Sequence, residues 1–451
     1  MKSRTIIFKK LILGGSFTLL AGVLLSACEL QATQNSAPAS DTAPTVIVPT
    51  PVDTPEPSFN EPVNEENAVR EAALRAITIW VLPEIEISTD TPAGNIFTQQ
   101  IDTFDANHPE VELNLEQKSI VGEGSLFDYF ATAKNVAPNI LPDLVLVPHN
   151  VLPELVEQEI VFPLDELISA EEFQDLYPAA DQLVVVNDSS YGYPYAISGL
   201  THAAYNTAVY SDTLPSRLDQ IIGTTLRPAF PAAGKEGAEL LLQLYVDEGG
   251  QIYNNEGELE FENTPMLVAL RRIQALRASD LIDPSVGDIA DREEMWLSYK
   301  SGASNLILTT DQLFLTEYRE TADLGFDRFP GSIGGLEPYT EGWVWAVSTA
   351  DPVRQALAIE LLTWMSNGPN MADWTFASQS LPARQSALQL WPQDDYATFL
   401  DQELQRATVK PEILDSNVGS ILQGAMQALF AADNPPVQNI ADNAVAAING
   451  N

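Results

Sequence analysis

From residue 77 onward, short apolar runs alternate with segments whose apolar side chains recur at helical spacing. The β-branched run 77–82, closed by Pro83, predicts a first strand. Residues 95–107 carry apolar side chains on one helical face and predict a helix. Alternation over 111–115 and the apolar run 142–148 predict two further strands. This order predicts an α/β fold with a largely parallel, doubly wound sheet flanked by helices.

The second half of the chain continues the same rhythm. Residues 191–206 contain two short extended pieces that meet at Gly199, which marks a bend or a close backbone approach. We expect this stretch to carry the chain from one globular half to the other, and residues 324–330 to carry it back. Helices are predicted at 235–248, after a cap at Asn263 or Thr264, at 295–302 and at 352–367, and strands at 305–309 and 343–348.

The first 76 residues have a different composition. Residues 1–27 join a basic start to an apolar run, which predicts a secretory signal peptide. The run ends in Leu25-Ser-Ala-Cys28, which resembles a bacterial lipobox, and Cys28 is the only cysteine of the chain. Cys28 is therefore predicted to carry lipid; an ordinary signal or an uncleaved anchor is the alternative. The Pro- and Thr-rich segment 28–76 is predicted to be a flexible tether.

Length and charge limit the class of protein. The remaining body of about 375 residues is too long for one simple core and is typical of two lobes. The net charge of −41 argues against nucleic acid and anionic lipid surfaces as partners, because both require basic footprints. This charge is explained by solubility at an exposed cell surface, or by a pocket for a cationic ligand.

Catalytic motifs are missing from the sequence. Its three histidines are far apart, and no nucleophile elbow, Walker loop or zinc-protease motif occurs. No cofactor, no metal and no enzymatic activity are predicted. Because carboxylates are plentiful, a surface-anchored polysaccharide hydrolase with two catalytic acids is kept as the alternative, and a plain surface adhesin as a second one.

Several weak motifs in one order carry a family resemblance over about residues 77–450. The pattern Tyr191-Gly-Tyr-Pro194, followed about ten residues later by Tyr205-Asn206, resembles the first interlobe crossover of bacterial extracellular solute-binding proteins of family 1. A strand ending in Trp, a helix ending in His-Pro, a Pro-Asp strand and a Pro-Leu-Asp segment resemble the same family. These are the maltose-binding-protein-like receptors of ABC importers.

The resemblance implies a two-lobed, periplasmic-binding-protein-like (Venus flytrap) fold. Its lobes are expected to comprise 77–197 plus 331–374 and 198–330 plus 375–450. It further implies a monomeric, lipid-anchored receptor on the extracellular face of the cell membrane. This receptor would capture a small polar solute by hinge closure and deliver it to the permease subunits of an ABC importer. The expected solute is a sugar or oligosaccharide, with a polyamine as an alternative.

The candidate ligand-binding residues follow from strand ends and from the resemblance. Trp80 and the loop His149-Asn150 end strands on the side where doubly wound sheets bind ligands. An aromatic ring suits the apolar face of a sugar, and planar polar groups suit its hydroxyls. Tyr195 either faces the cleft or packs in the hinge, and Trp80 and Trp343 either bind ligand or pack. By position in the resembling family, the remaining candidates are Ser198, Asp311, Gln312, Glu341 and Trp343.

One departure from the family leaves the ligand open. In the maltose-specific member an aromatic side chain precedes the loop after the Pro-Asp strand, whereas this chain has Val147. An acid followed by Arg in that loop is Asn150-Val151 here, and the acid of the crossover is Ser198. Maltose itself is therefore not expected, and the ligand stays open within sugars and related polar solutes.

Overall fold

A computed structural model describes residues 76–450, apart from 135, 138–139 and 319–320. The predicted signal peptide, Cys28 and the tether lie outside these residues, except that Ala76 already belongs to the first strand. Within the described residues no helix has the length and apolar character needed to cross a membrane.

Thirteen strands in the described part of the chain form two main sheets and one small hairpin. The larger sheet has the order β12-β6-β11-β3-β1-β2, with β13 beside β11, and the smaller has the order β10-β7-β9-β8. The strands are β1 Ala76–Val81, β2 Glu112–Gln117, β3 Leu144–Pro148, β4 Val185–Val186, β5 Ser189–Ser190, β6 Tyr193–Ser198, β7 Thr201–Asn206, β8 Pro228–Ala229, β9 Leu306–Thr310, β10 Leu324–Asp327, β11 Tyr339–Val347, β12 Leu381–Pro382 and β13 Thr408–Val409.

Fifteen α-helices occur in the same residues, several of them only one turn long. They are α1 Pro92–Asn107, α2 Leu126–Ala133, α3 Leu152–Glu157, α4 Pro178–Gln182, α5 Leu218–Ile221, α6 Lys235–Asp247, α7 Asn263–Ala278, α8 Arg292–Lys300, α9 Asp311–Tyr318, α10 Pro352–Met365, α11 Gly368–Ser378, α12 Gln385–Leu388, α13 Asp395–Leu404, α14 Asn417–Phe430 and α15 Val437–Asn449. The predicted strands and long helices are all present, with bounds shifted by a few residues.

Both sheets are mixed, whereas a largely parallel sheet was expected. β1 pairs in parallel with β2 and β3, but β11 runs antiparallel to β3 and β6. In the smaller sheet, β7 runs antiparallel to β9 and β10. β6 and β7 flank the first passage between the sheets, and β10 and β11 flank the second.

Local sequence accounts for most helix ends. Thr91 Oγ1 accepts from the N–H of Gly94 and caps α1, and Asp351 caps α10 ahead of Pro352. The predicted stop at Asn367 serves the next helix as well, because its side chain caps α11. The predicted cap of α7 is wrong: Asn263 is its first residue, and no side-chain cap is present.

The chain passes between the sheets at short connections. Gly199, with φ +70°, and Leu200 join β6 to β7, as the crossover prediction required. The segment after β10 leads back to β11. The boundary expected between residues 374 and 375 falls inside α11, and β12 still pairs with β6. The chain therefore leaves the larger sheet only after β12.

Candidate functional site

Strand ends from both sheets meet at the β6–β7 connection. β11 aligns Trp343 with Pro148, the last residue of β3, and Glu341 with Ser198, the last residue of β6. In the smaller sheet, the start of β7 at Thr201 lies opposite the end of β9. The carboxyl ends of β3, β6 and β9 thus lie near this connection, where the geometry of open α/β sheets places ligands.

A cavity of about 500 Å³ opens at this edge, and we name it the aromatic cavity. Three of the candidate residues line it: Ser198 from the larger sheet, Trp343 from β11 and Gln312 from α9, which follows the smaller sheet. All three side chains are partly or fully exposed. The other lining residues are Glu84, Ile85, Glu86, Pro92, Ala93, Trp374, Ala377, Ser378, Gln379 and Ser380.

A second cavity, of about 240 Å³, is lined by Gly199, the residue that follows Ser198 of the aromatic cavity. We name it the charged cavity. Its lining residues are Gly199, Lys235, Glu236, Glu239, Arg292, Tyr339, Thr340, Glu341, Lys410, Leu414 and Asp415. Of the candidate residues, only Glu341 lines it. Two adjacent residues, Ser198 and Gly199, thus line an aromatic and a charged cavity.

Glu341 is held in place by a cation and lies near a buried imidazole. Lys410, which follows β13, forms an ion pair with the Glu341 carboxylate. His149 is 7% exposed, and its Nδ1 accepts from the N–H of Gly342 at 3.4 Å. Burial lowers the pKa of His149, so the imidazole is neutral at pH 7. His149 therefore positions the start of β11 and carries no charge toward the cavity.

Arg292 lines the charged cavity and pairs with two of its acids. It is 6% exposed and pairs with Glu239 at 2.5 Å and with Glu236 at 3.3 Å. Burial raises the pKa of Glu236 to about 7, although Arg292 opposes that shift. Glu236 is thus partly protonated at neutral pH, whereas an exposed glutamate would be fully ionised.

Asp311 is enclosed at the connection between the sheets. It is 0% exposed, and the N–H of Leu200 donates to its Oδ1 at 2.8 Å. Its Oδ2 is buried and finds no hydrogen-bond partner in the described part of the protein. Burial raises the pKa of Asp311 to about 7. The carboxyl group fastens the β6–β7 connection to α9 and does not line either cavity, so ligand contact by Asp311 stays a prediction.

Two aromatic candidates lie in the core. Trp80 is 2% exposed and packs edge-on against Tyr129 and Phe130, with ring centroids 5.3 Å and 6.1 Å away. Tyr195 is 0% exposed and packs against Trp374 at 4.7 Å. Neither ring lines the two cavities. These positions fit the alternative that Trp80 and Tyr195 are packing residues. Neither ring has an exposed face, and ligand contact by either one stays a prediction.

Asn150 lies apart from the two cavities. Its side chain is exposed and lines an open depression with Pro153, Glu154, Glu157, Gln158 and Glu412. The loop thus splits its two candidate residues: His149 turns into the protein beside Gly342, and Asn150 faces solvent.

Sequence reasoning missed most of the charged cavity. Lys235, Glu236, Glu239, Arg292 and Lys410 were not among the candidate residues. The composition offered one signal for these residues. The chain has only 22 Lys and Arg against 63 Asp and Glu, so each basic residue was a candidate for a specific ion pair. No group of histidine, cysteine and acidic side chains in the described residues is arranged to hold a metal ion.

The sequence matches no family model and no curated protein. The fold, however, matches solved structures. The sugar-binding protein MalE from Xanthomonas citri is 13% identical, with a TM-score of 0.68 over 83% of this chain and 96% of that chain. The cyclic alpha-maltosyl-1,6-maltose binding protein from Arthrobacter globiformis is 14% identical, with a TM-score of 0.64 over 83% and 98%.

A structure described as extracellular solute-binding protein family 1, from Alicyclobacillus acidocaldarius, gives 14% identity and a TM-score of 0.64 over 83% of this chain and 98% of that chain. The predicted two-lobed α/β fold is therefore confirmed. The description of the Alicyclobacillus structure names the same family that the sequence of this chain resembles. At these identities the likeness establishes the fold.

Proposed function

We propose, from the two-lobed fold that this chain shares with solved sugar-binding proteins, that it is a receptor that captures a small polar solute. The observation that carries the proposal is the aromatic cavity of about 500 Å³, lined by Ser198 and Trp343 of the larger sheet and by Gln312 next to the smaller one. A site lined from both lobes can hold one solute between them. Binding proteins among the structural neighbours support a role without catalysis.

The chemistry of the aromatic cavity favours a sugar. A partly exposed indole such as that of Trp343 offers a flat apolar face for a pyranose ring. The Ser198 hydroxyl and the Gln312 amide both donate and accept hydrogen bonds, as ring hydroxyls require. Several neighbours are, by their descriptions, maltose- or maltotriose-binding proteins, which supports a carbohydrate ligand.

Closure of the two lobes would follow from differential contact. A solute that touches both lobes only in the closed form shifts the open–closed equilibrium toward that form. The short connections that leave β6 and enter β11 are the elements about which the lobes would rotate. We place the receptor on the extracellular face of the membrane, anchored by lipid on Cys28 and serving an ABC importer as a monomer.

Binding assays on the purified protein test this function. We expect an oligosaccharide to raise the melting temperature, because a ligand that binds only the folded state stabilises it. Trp343→Ala should weaken that binding about 5- to 150-fold, the loss of one aromatic contact of about 1–3 kcal/mol. Tyr253→Ala is the matched control, since Tyr253 is 52% exposed and lines neither cavity.

The products decide between the receptor and the alternative. Stoichiometric retention of an unchanged labelled oligosaccharide supports the receptor. Release of shorter sugars would instead identify a hydrolase. If no carbohydrate binds at millimolar concentration, the sugar proposal is wrong.

A further inference from the structure

We propose that the charged cavity binds the neighbouring ammonium and hydroxyl groups of a 2-amino-2-deoxy sugar unit, with Glu236 and Arg292 as the selecting residues. This inference rests on the proposed sugar-receptor function and narrows its substrate class. The charges that line the cavity support it, and so do two buried atoms that have no hydrogen-bond partner among the described residues.

The charges in the cavity do not balance. Four carboxylates line it, those of Glu236, Glu239, Glu341 and Asp415, against the three cations of Lys235, Arg292 and Lys410. Lys410 is paired with Glu341, Lys235 lies 3.8 Å from Asp415, and Arg292 is shared by the other two acids. When Glu236 is ionised, one carboxylate is therefore in excess, and a ligand with one positive charge would neutralise the cavity.

The excess charge is located at Glu236. Arg292 makes its 2.5 Å contact with Glu239 and only a 3.3 Å contact with Glu236. The second oxygen of Glu236, Oε2, is buried and has no hydrogen-bond donor among the described residues. The raised pKa of Glu236 has the same origin, because its carboxylate is removed from water and shares Arg292 with Glu239. Glu236 Oε2 is thus an acceptor to which an ammonium group can donate.

A second unsatisfied atom lies on the guanidinium. Arg292 is only 6% exposed, and its Nε–H finds no acceptor in the described part of the chain. A buried donor left unpaired destabilises the site, so a ligand that supplies an acceptor binds more tightly. A hydroxyl oxygen beside an ammonium group meets both needs at once. Vicinal amino and hydroxyl groups of this kind are those of a 2-amino-2-deoxy sugar.

Neutral and acylated sugars lack this match. N-acetylation removes the positive charge and turns the amine into a neutral amide. A plain hydroxyl at the same position leaves the excess carboxylate without a counter-charge. A charge-assisted hydrogen bond contributes roughly twice a neutral one, which corresponds to about a 5- to 10-fold preference for the amine.

The test is calorimetric titration of the purified protein with three probes: a glucosamine oligosaccharide, its N-acetylated form and a glucose oligosaccharide of equal length. The glucosamine probe should bind about 5- to 10-fold tighter than the other two. In Glu236→Gln this preference should fall to within about 2-fold, since the counter-charge is gone. A merely structural role for Glu236 would weaken all three probes alike and leave the preference intact.

Glu293→Gln is the matched control. Glu293 neighbours Arg292 on α8 and acts electrostatically on Glu236, but it is exposed and does not line the cavity. This variant should keep the full preference for the amine. If it loses the preference as Glu236→Gln does, long-range charge explains the effect and the assignment to Glu236 is overturned.

The outcomes separate the two proposals. Equal binding of all three probes by the wild type would overturn the amine selection and leave the sugar receptor standing. Binding of none of them would contradict the proposed function itself. Melting temperatures of each variant, measured in parallel, report whether Glu236→Gln is folded.

Discussion

Replacing Trp80 with alanine should cost more in folding stability than in ligand binding. The sequence placed Trp80 and Trp343 at strand ends facing a ligand, but the structure separates the two rings. Trp80 is 2% exposed between Tyr129 and Phe130, whereas Trp343 is partly exposed and lines the aromatic cavity. Trp80→Ala should therefore mainly lower folding stability, whereas Trp343→Ala should mainly lower ligand affinity.

The magnitude follows from the buried area. A tryptophan side chain buries roughly 150–250 Å². At about 25 cal/mol per Å², its removal lowers the free energy of unfolding by about 4–6 kcal/mol. This agrees with the loss of about 3–5 kcal/mol that is typical of a core tryptophan changed to alanine. Trp343→Ala should cost less stability, because part of that ring is already in solvent.

Trp80→Phe gives a sharper version of the same test. The indole Nε1 of Trp80 is buried without a hydrogen-bond partner in the described residues. Phenylalanine loses part of the apolar contact but also removes that unpaired N–H, whose burial costs about 1–3 kcal/mol. We therefore expect Trp80→Phe to stay within about 1 kcal/mol of the wild type, because the two effects offset each other.

Denaturant unfolding, followed by fluorescence and circular dichroism, measures the stability of all three variants. Calorimetric titration with the best-binding sugar measures affinity. If Trp80→Ala keeps its stability within about 1 kcal/mol and loses binding, the ring contacts ligand in solution and the burial argument is refuted.

Three further predictions follow from individual contacts. The pKa of Asp311 is raised from 3.8 to about 7, so folding takes up a proton between these pH values and the free energy of unfolding falls as pH rises through them. Asp311→Asn should therefore remove the fall in melting temperature across this pH range. An unchanged pH profile of the variant would contradict the argument. Gly342→Ala would place a Cβ 2.5 Å from the Ala196 carbonyl oxygen and should lower the free energy of unfolding, measured with denaturant, by about 1–3 kcal/mol. Gly424→Ala lies in open space on α14 and should raise the free energy of unfolding by up to about 1 kcal/mol. Equal effects of the two substitutions would refute the explanation by steric contact. Cys28→Ser should release the protein from membranes into the soluble fraction, and unchanged partitioning would show that Cys28 carries no anchor.

The sequence by itself determined the elements and their order. The runs that became β1, β3 and β9 are apolar and β-branched, and the helices begin at caps such as Thr91 and Asp351, because these preferences act over a few neighbouring residues. The edge at which doubly wound sheets bind ligands was also readable, since it follows from the strand–helix rhythm. Three candidates, Ser198, Gln312 and Trp343, do line one cavity there.

Only the tertiary structure decided which strand-end side chains are covered and which are open. Trp80 and Trp343 have the same local signal, yet α2 brings Tyr129 and Phe130 over the first ring and leaves the second beside a cavity. The charged cavity was equally hidden, because Glu236, Arg292 and Lys410 are separated by more than fifty residues at each step. Charges so far apart in sequence act on one another only once folding has brought them within a few ångströms and removed the water that would screen them.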